Sequence, residues 1–128
     1  MNKLLIVEDN SIARKTAKGM FGRHTNAEIL TAENGEEALE IFKETDLTVI
    51  IMDIGLGDGM DGAETTNEIR KFENESKRTR CPVYALTAHC EDKDLIRNKE
   101  MGIDKTYKKP ATMEMINQIL EEIPSLKK

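Results

Sequence analysis

The stretch Thr48-Val49-Ile50-Ile51-Met52-Asp53-Ile54-Gly55-Leu56-Gly57 constrains this chain more than any other. From Thr48 to Met52 it is nearly all apolar and rich in β-branched side chains, with no polar alternation. That is the pattern of a strand covered on both faces, as in a parallel sheet. Asp53 stands at its carboxyl end, and glycines follow. A carboxylate beside such a strand is costly to desolvate unless a cation or hydrogen-bond donors compensate it. Taken alone, Asp53 would be a turn-capping acid. The rest of the chain decides whether it is more.

The same pattern recurs along the sequence. Leu4-Leu5-Ile6-Val7 is a second apolar run, and it ends in Glu8-Asp9. Asn10 or Ser11 then caps a helix whose inner face carries Ala13, Ala17, Met20 and Phe21, with Gly22 as its stop. Ala27–Ala32 is a weaker, more polar strand suited to a sheet edge. Asn34, with Glu37 three residues on, opens a helix with Ala38, Leu39 and Phe42 inside. After the loop Gly55–Gly62 a third helix is expected over Ala63–Phe72, and Glu73–Arg80 as a charged, solvated connector. Pro82–Thr87 is another buried strand, with proline tolerated at its start. Glu91–Met101 is a polar helix closed by Gly102, and Ile103–Lys109 is the last strand. Thr112 opens a final helix with Met113, Ile116, Leu120 and Ile123 on one stripe, and Pro124 stops it.

Five strands alternating with five helices imply an α/β fold: one parallel sheet, covered on both faces by right-handed crossovers. With 128 residues there is room for one domain, expected over 1–124 with 125–128 as a short tail. The net charge of -5 speaks against nucleic acid and against direct contact with an anionic membrane. Cys81 and Cys90 lie in no metal- or redox-type spacing and read as thiols of a reducing compartment. No apolar run reaches the length of a membrane span. A cytoplasmic protein is expected, or the cytosolic part of a membrane-bound one. Nothing in the pattern demands a dimer, so a monomer is expected.

In such a sheet all strand carboxyl ends open on one edge, where ligands bind. The first strand delivers Glu8 and Asp9 there, the third Asp53, the fourth Thr87 and the fifth Lys109. Three acids so close repel each other, which points to a hard divalent cation, and Mg2+ suits oxygen ligands. Thr87 and Lys109 can hydrogen-bond and neutralise the oxygens of a phosphoryl group. The combination reads as a phosphoryl-transfer site with Asp53 as nucleophile, forming an aspartyl phosphate.

These residues resemble the receiver domain of two-component response regulators. The likeness spans the chain: Glu8-Asp9, Asp53, Met60-Asp61-Gly62, Thr87-Ala88 and Lys109-Pro110. It implies a flavodoxin-like sheet of order 2-1-3-4-5. It further implies that Asp53 accepts phosphate from a phosphohistidine on a histidine kinase or histidine phosphotransfer protein. Asp9, Asp53 and the Gly55 carbonyl would hold Mg2+, with Glu8 acting directly or through water. Thr87 and Lys109 would contact the phosphoryl oxygens, Lys109 would pair with Asp53 beforehand, and the Lys109-Pro110 bond would be cis. Tyr84–His89 is similar to receivers attached to hybrid histidine kinases.

The chain departs from the family pattern at two places. Gly57-Asp58-Gly59 replaces the usual proline and lengthens the loop by one residue, bringing Asp58 near the site. Thr106 stands where the family carries a switch aromatic, and Tyr107 is expected on the opposite face of the strand. A second reading is a degenerate receiver that binds partners without phosphorylation. A haloacid-dehalogenase-type phosphatase would need an Asp where Gly55 stands. A flavodoxin would need a phosphate loop where Glu8-Asp9 stands.

Overall fold

The computed structural model describes all 128 residues. Strands β1 (Lys3–Val7), β2 (Glu28–Ala32), β3 (Val49–Asp53), β4 (Val83–Thr87) and β5 (Lys105–Lys108) alternate with five helices. These are α1 (Ser11–His24), α2 (Gly35–Glu44), α3 (Gly62–Ser76), α4 (Asp92–Glu100) and α5 (Met113–Glu122), and a 3-10 turn (Pro124–Leu126) follows. The sheet is parallel throughout and ordered β2-β1-β3-β4-β5, as the resemblance implied.

Continuous apolar runs arise because both faces of the inner strands are covered. Leu5, Val7, Ile50, Met52, Val83 and Ala85 point to one side, where Ala38 and Phe42 of α2 and Ala63 and Ile69 of α3 meet them. Their neighbours Leu4, Ile6, Val49, Ile51, Tyr84 and Leu86 point to the other, against Phe21 of α1 and Met115, Ile116 and Ile119 of α5. Each strand residue changes face from the last, so a polar side chain anywhere in these runs would sit in a core. Helix α4 belongs to neither layer: Asn98 is its only buried residue.

Several boundaries differ from the sequence expectation. Gly22 does not stop α1, which runs on to His24 and is closed by Thr25; the Thr25 amide and hydroxyl both donate to the Phe21 carbonyl, at 3.0 and 2.8 Å. Helix α3 continues to Ser76 and ends at Lys77 in the left-handed conformation, φ 57°. The connector is therefore not a solvated loop. Glu73 is 3% exposed, accepting from Arg70 Nη1 at 2.9 Å and from the Cys81 amide at 2.6 Å. Arg78 lies between the Phe42 and Phe72 rings and donates to the carbonyls of Phe42 and Lys43, capping the end of α2. In α5 the buried stripe is Met115, Ile116 and Ile119, with Leu120 and Ile123 partly buried beside it, while Met113 is 40% exposed.

The end of the chain is pinned to its beginning. Leu126 is fully buried in the α1/α5 layer. Asn2 Nδ2 donates to the Ser125 carbonyl at 2.8 Å, and Asn26 Nδ2 donates to the same oxygen at 2.7 Å and to the Lys127 carbonyl at 3.1 Å. All of this lies at the amino-terminal edge of the sheet.

Candidate functional site

At the opposite edge, the strand ends bring together all the acids read from the sequence. Glu8 extends β1 by one ladder bond, its amide donating to the Ala32 carbonyl at 3.0 Å. Asn10 turns the chain into α1 by accepting from the Ala13 amide at 2.9 Å, a side-chain N-cap. One turn on, Arg14 Nη1 returns to donate to the Glu8 carbonyl at 3.0 Å, and Nη2 pairs with Glu33 at 3.3 Å. The acid pair is thus fixed by its own backbone. Glu8 is buried and Asp9 is exposed.

Asp53 ends β3 and is only 3% exposed. Its Oδ1 accepts from the Gly55 amide at 3.1 Å and from Lys109 Nζ at 2.8 Å. Lys109 Nζ also donates to Glu8 Oε1 at 3.2 Å. Burial alone would lower the Lys109 pKa, but hydrogen bonding and charge from Asp53 and Glu8 outweigh it and hold the ammonium above the usual lysine range. Lys109 is aimed by β5 and by its amide, which donates to the Thr87 carbonyl at 2.8 Å, and the Lys109-Pro110 bond is cis. Thr87 is buried; its Oγ1 accepts from the His89 amide at 3.1 Å, leaving the hydroxyl proton free to donate.

Asp53 Oδ2 is buried and has no hydrogen-bond partner. Buried polar atoms are almost always satisfied, so one left alone calls for a ligand. Carboxylate oxygens of Glu8, Asp9 and Asp53 lie within 4.8 Å of one another, with Lys109 as the one cation paired to them. The Gly55 carbonyl accepts no hydrogen bond from the protein. An uncompensated oxygen set of this kind fits a hard divalent cation such as Mg2+.

The start of α3 is packed against the acceptor. The Gly62 amide donates to the Ile54 carbonyl at 2.9 Å, and a Cβ at Gly62 would lie 2.2 Å from the Asp53 carbonyl oxygen. Asp61 caps the helix from outside, in a capping box with Glu64. The lengthened loop uses positive φ at Gly57 (58°) and Gly59 (84°), and the Met60 amide donates to Glu36 Oε1 at 3.4 Å. Asp58 is exposed and stands outside the acid group, so it does not enlarge the site as its position in the sequence suggested.

Sequence reasoning missed Arg14, Glu36 and Arg97. Only Arg14 left a signal, as a cation one turn into the helix that follows the acids. Thr106 faces α4 and its Oγ1 accepts from Asn98 Nδ2 at 3.3 Å, while Tyr107 lies on the other face and donates to Gln118 Oε1 at 2.6 Å. His89 is exposed.

A family model described as the response regulator receiver domain matches residues 4–121. The chain is 34% identical over 113 residues to a cyclic di-GMP phosphodiesterase of Thermotoga maritima, covering 88% of this chain and 28% of that protein's length. The receiver domain of the histidine kinase CKI1 from Arabidopsis thaliana, complexed with Mg2+ and BeF3-, superposes with a TM-score of 0.83 at 29% identity, covering 97% of this chain and 90% of that one. The co-crystal of the Saccharomyces cerevisiae histidine phosphotransfer protein Ypd1 with the receiver domain of Ssk1 gives a TM-score of 0.83 at 30% identity, covering 94% of this chain and 87% of that one. No helix is long and apolar enough to cross a membrane. By its matched length, its sheet order and the strand-end residues described above, this chain belongs to the response regulator receiver domains of two-component phosphorelay signalling.

Proposed function

We propose that Asp53 is the phosphoacceptor, and the observation that carries this is its divided carboxylate. Oδ1 is held by Lys109 and the Gly55 amide, while Oδ2 is buried and unbonded. Oδ2 is the nucleophile: it bonds to phosphorus in line as the phosphorus–nitrogen bond of a phosphohistidine breaks, and that bond's electron pair stays on the imidazole. Asp9, Asp53 and the Gly55 carbonyl would hold Mg2+, with Glu8 acting directly or through water. When bound, the ion would supply positive charge against the acceptor carboxylate and the phosphoryl oxygens. Lys109, kept protonated by its two carboxylate partners, offsets charge on the phosphoryl group, and the free Thr87 hydroxyl donates to one of its oxygens.

The donor is a histidine kinase or a histidine phosphotransfer protein. The Ssk1 receiver in complex with Ypd1 supports this class of partner, and the CKI1 receiver supports attachment to a hybrid kinase. The domain works as a monomer in the cytoplasm, or on the cytosolic side of a larger protein, with no direct membrane contact.

The test is intact-protein mass after incubation with acetyl phosphate and Mg2+, for the chain as it stands and for Asp53→Ala. The expected result is a Mg2+-dependent gain of one phosphoryl group, absent from the variant. A gain that survives in Asp53→Ala moves the acceptor elsewhere. No gain in either protein defeats the reading.

A further inference from the structure

We propose that the cavity between α1 and the start of α5 is a binding site for a small organic cation, a protonated amine or amidine carrying one ring or a short branched chain, and that its occupant competes with phosphoryl transfer. The second half rests on Asp53 being the acceptor; the first does not.

The cavity measures about 220 Å3, and it exists because the side chains around it are small. Ala13 and Ala17 stand one turn apart on the inner face of α1, and Pro110 and Ala111 line the opposite wall from the loop ahead of α5. None of the four is long enough to cross the space, so a gap is left over Ile51 and Leu86 of the sheet. Protein interiors are otherwise close-packed. Sites for drug-sized ligands run to roughly 300–1,000 Å3, so this one takes a smaller body.

Its chemistry is uneven. Successive strand residues alternate between faces, so Asp53 shares a face with Ile51, and Glu8 with Ile6. These two acids and Lys109 close the cavity at the carboxyl ends of the strands. The one other polar side chain in its wall, Thr16, donates its hydroxyl to the Ile12 carbonyl at 2.9 Å. Glu8 and Asp53 share a single ammonium, Lys109 Nζ at 3.2 and 2.8 Å, which leaves this end one negative charge in excess. Asp53 Oδ2 is buried without a partner. A cationic head brings both the missing charge and the missing N–H donors. A carboxylate of the same shape meets two acids, and a neutral amide supplies donors without the charge. The head group engages the acceptor carboxylate and offsets the charge that draws Mg2+. Binding and phosphorylation therefore oppose each other, in both directions.

The test titrates the 15N-labelled chain with benzamidine, benzamide and benzoate, which share one ring and differ in charge, and follows backbone amide shifts. Benzamidine should move the amides of Ala13, Ala17 and Ala111 with a Kd on the order of 1 mM. Benzamide should bind about tenfold more weakly, and benzoate should move none of them. Ala17→Leu and, separately, Ala13→Leu fill the gap; each should keep or raise Tm and abolish the benzamidine shifts. With benzamidine at about five times its Kd, phosphorylation by acetyl phosphate and Mg2+ should slow roughly sixfold, and in Ala17→Leu it should be insensitive to benzamidine. No shifts with benzamidine, or shifts that persist in both filled variants, overturn the site. So does loss of folding in both variants, because a true gap accepts the added carbons. Benzamide or benzoate binding as tightly as benzamidine overturns the choice of a cation. An unaltered phosphorylation rate at that concentration overturns the competition. If the unaltered chain takes no phosphoryl group, the acceptor reading has failed, and the titration still decides the cavity.

Discussion

Replacing Gly62 by alanine sets a methyl carbon 2.2 Å from the Asp53 carbonyl oxygen, 2.9 Å from its carbon and 2.9 Å from the Ile54 Cα. All three are main-chain atoms at the end of a central strand, and none can rotate out of the way. The start of α3 must back off by roughly 1 Å before ordinary contact is restored. Overpacking of this kind costs about 1–3 kcal/mol, and the rigidity of the neighbours puts Gly62→Ala near the top. Alanine returns at most about 1 kcal/mol through helix propensity. A net loss of about 2 kcal/mol should lower Tm by on the order of 8 °C in a domain of this size. The displaced strand end also carries the acceptor, so phosphorylation by acetyl phosphate should fall more than tenfold, because about 1 Å of misplacement costs catalysis heavily. The control is Gly22→Ala in α1, outside the site, where a Cβ meets only Ile29 Cγ1 at an ordinary 3.8 Å. It should melt no lower than the parent chain and phosphorylate like it. The measurements are a thermal melt and a time course of intact mass. If Gly62→Ala keeps its Tm within 1–2 °C and its phosphorylation rate within twofold, the close approach of α3 to Asp53 is not a constraint, and the reasoning is wrong.

Lys109, with its pKa raised, contributes stability that is fully present below the ordinary lysine value and is lost as pH climbs through its higher folded value; an alkaline Tm profile of Lys109→Met should lack that part of the decline, and identical profiles refute the pairing. Burial, reinforced by the Glu73 carboxylate, pushes the Cys81 thiol from 9.0 up to about 12. Between those two values the unfolded chain ionises and the folded one does not, so stability falls as pH rises from about 9; Cys81→Ala should flatten the slope of urea midpoint against pH in that window. At neutral pH iodoacetamide should modify the half-buried Cys90 well before Cys81, and peptide mapping that finds Cys81 first contradicts its enclosure. Arg78→Ala removes two donations to the end of α2 and contacts with two rings; it should cost about 2 kcal/mol in urea denaturation while leaving Asp53 phosphorylation unchanged, since it lies at the far edge of the sheet.

The strands were legible because every inner strand is apolar on both faces, as a doubly covered parallel sheet requires; their order came with the resemblance to the receiver family and not from that pattern. Glu8, Asp9, Asp53 and Thr87 were legible for the same reason, since each ends such a run and so marks a strand end; Lys109 follows the polar strand β5 and was legible only from its place beside Pro110 at a strand end. What escaped were charged side chains whose partners are distant in sequence. Glu73, Arg70 and Arg78 look like solvated surface until Cys81, Gly102 and the last carbonyls of α2 come within reach of them, and no local pattern announces those meetings. The same holds for Arg97 and Asp61, which pair at 3.1 Å. Asp58 differed the other way: its loop does lie beside the acids, a Cβ on Gly57 falling 3.2 Å from Asp9 Oδ2, yet Asp58 itself is exposed and outside the carboxylate group.

The asparagine brace at Asn2 and Asn26 has an architectural meaning for any larger protein that contains this domain. With Leu126 buried and the Ser125 carbonyl held by Asn2 and Asn26, entry and exit share one pole of the molecule. The acceptor occupies the other, about 16 Å away across the sheet, the length of a five-residue strand. A polypeptide joined at either end, or at both, hangs from the rear and leaves the acid pole open to an approaching donor. The domain can be spliced into a host at a single seam, as a plug with two adjacent leads, without the host's bulk standing between Asp53 and its phosphate source.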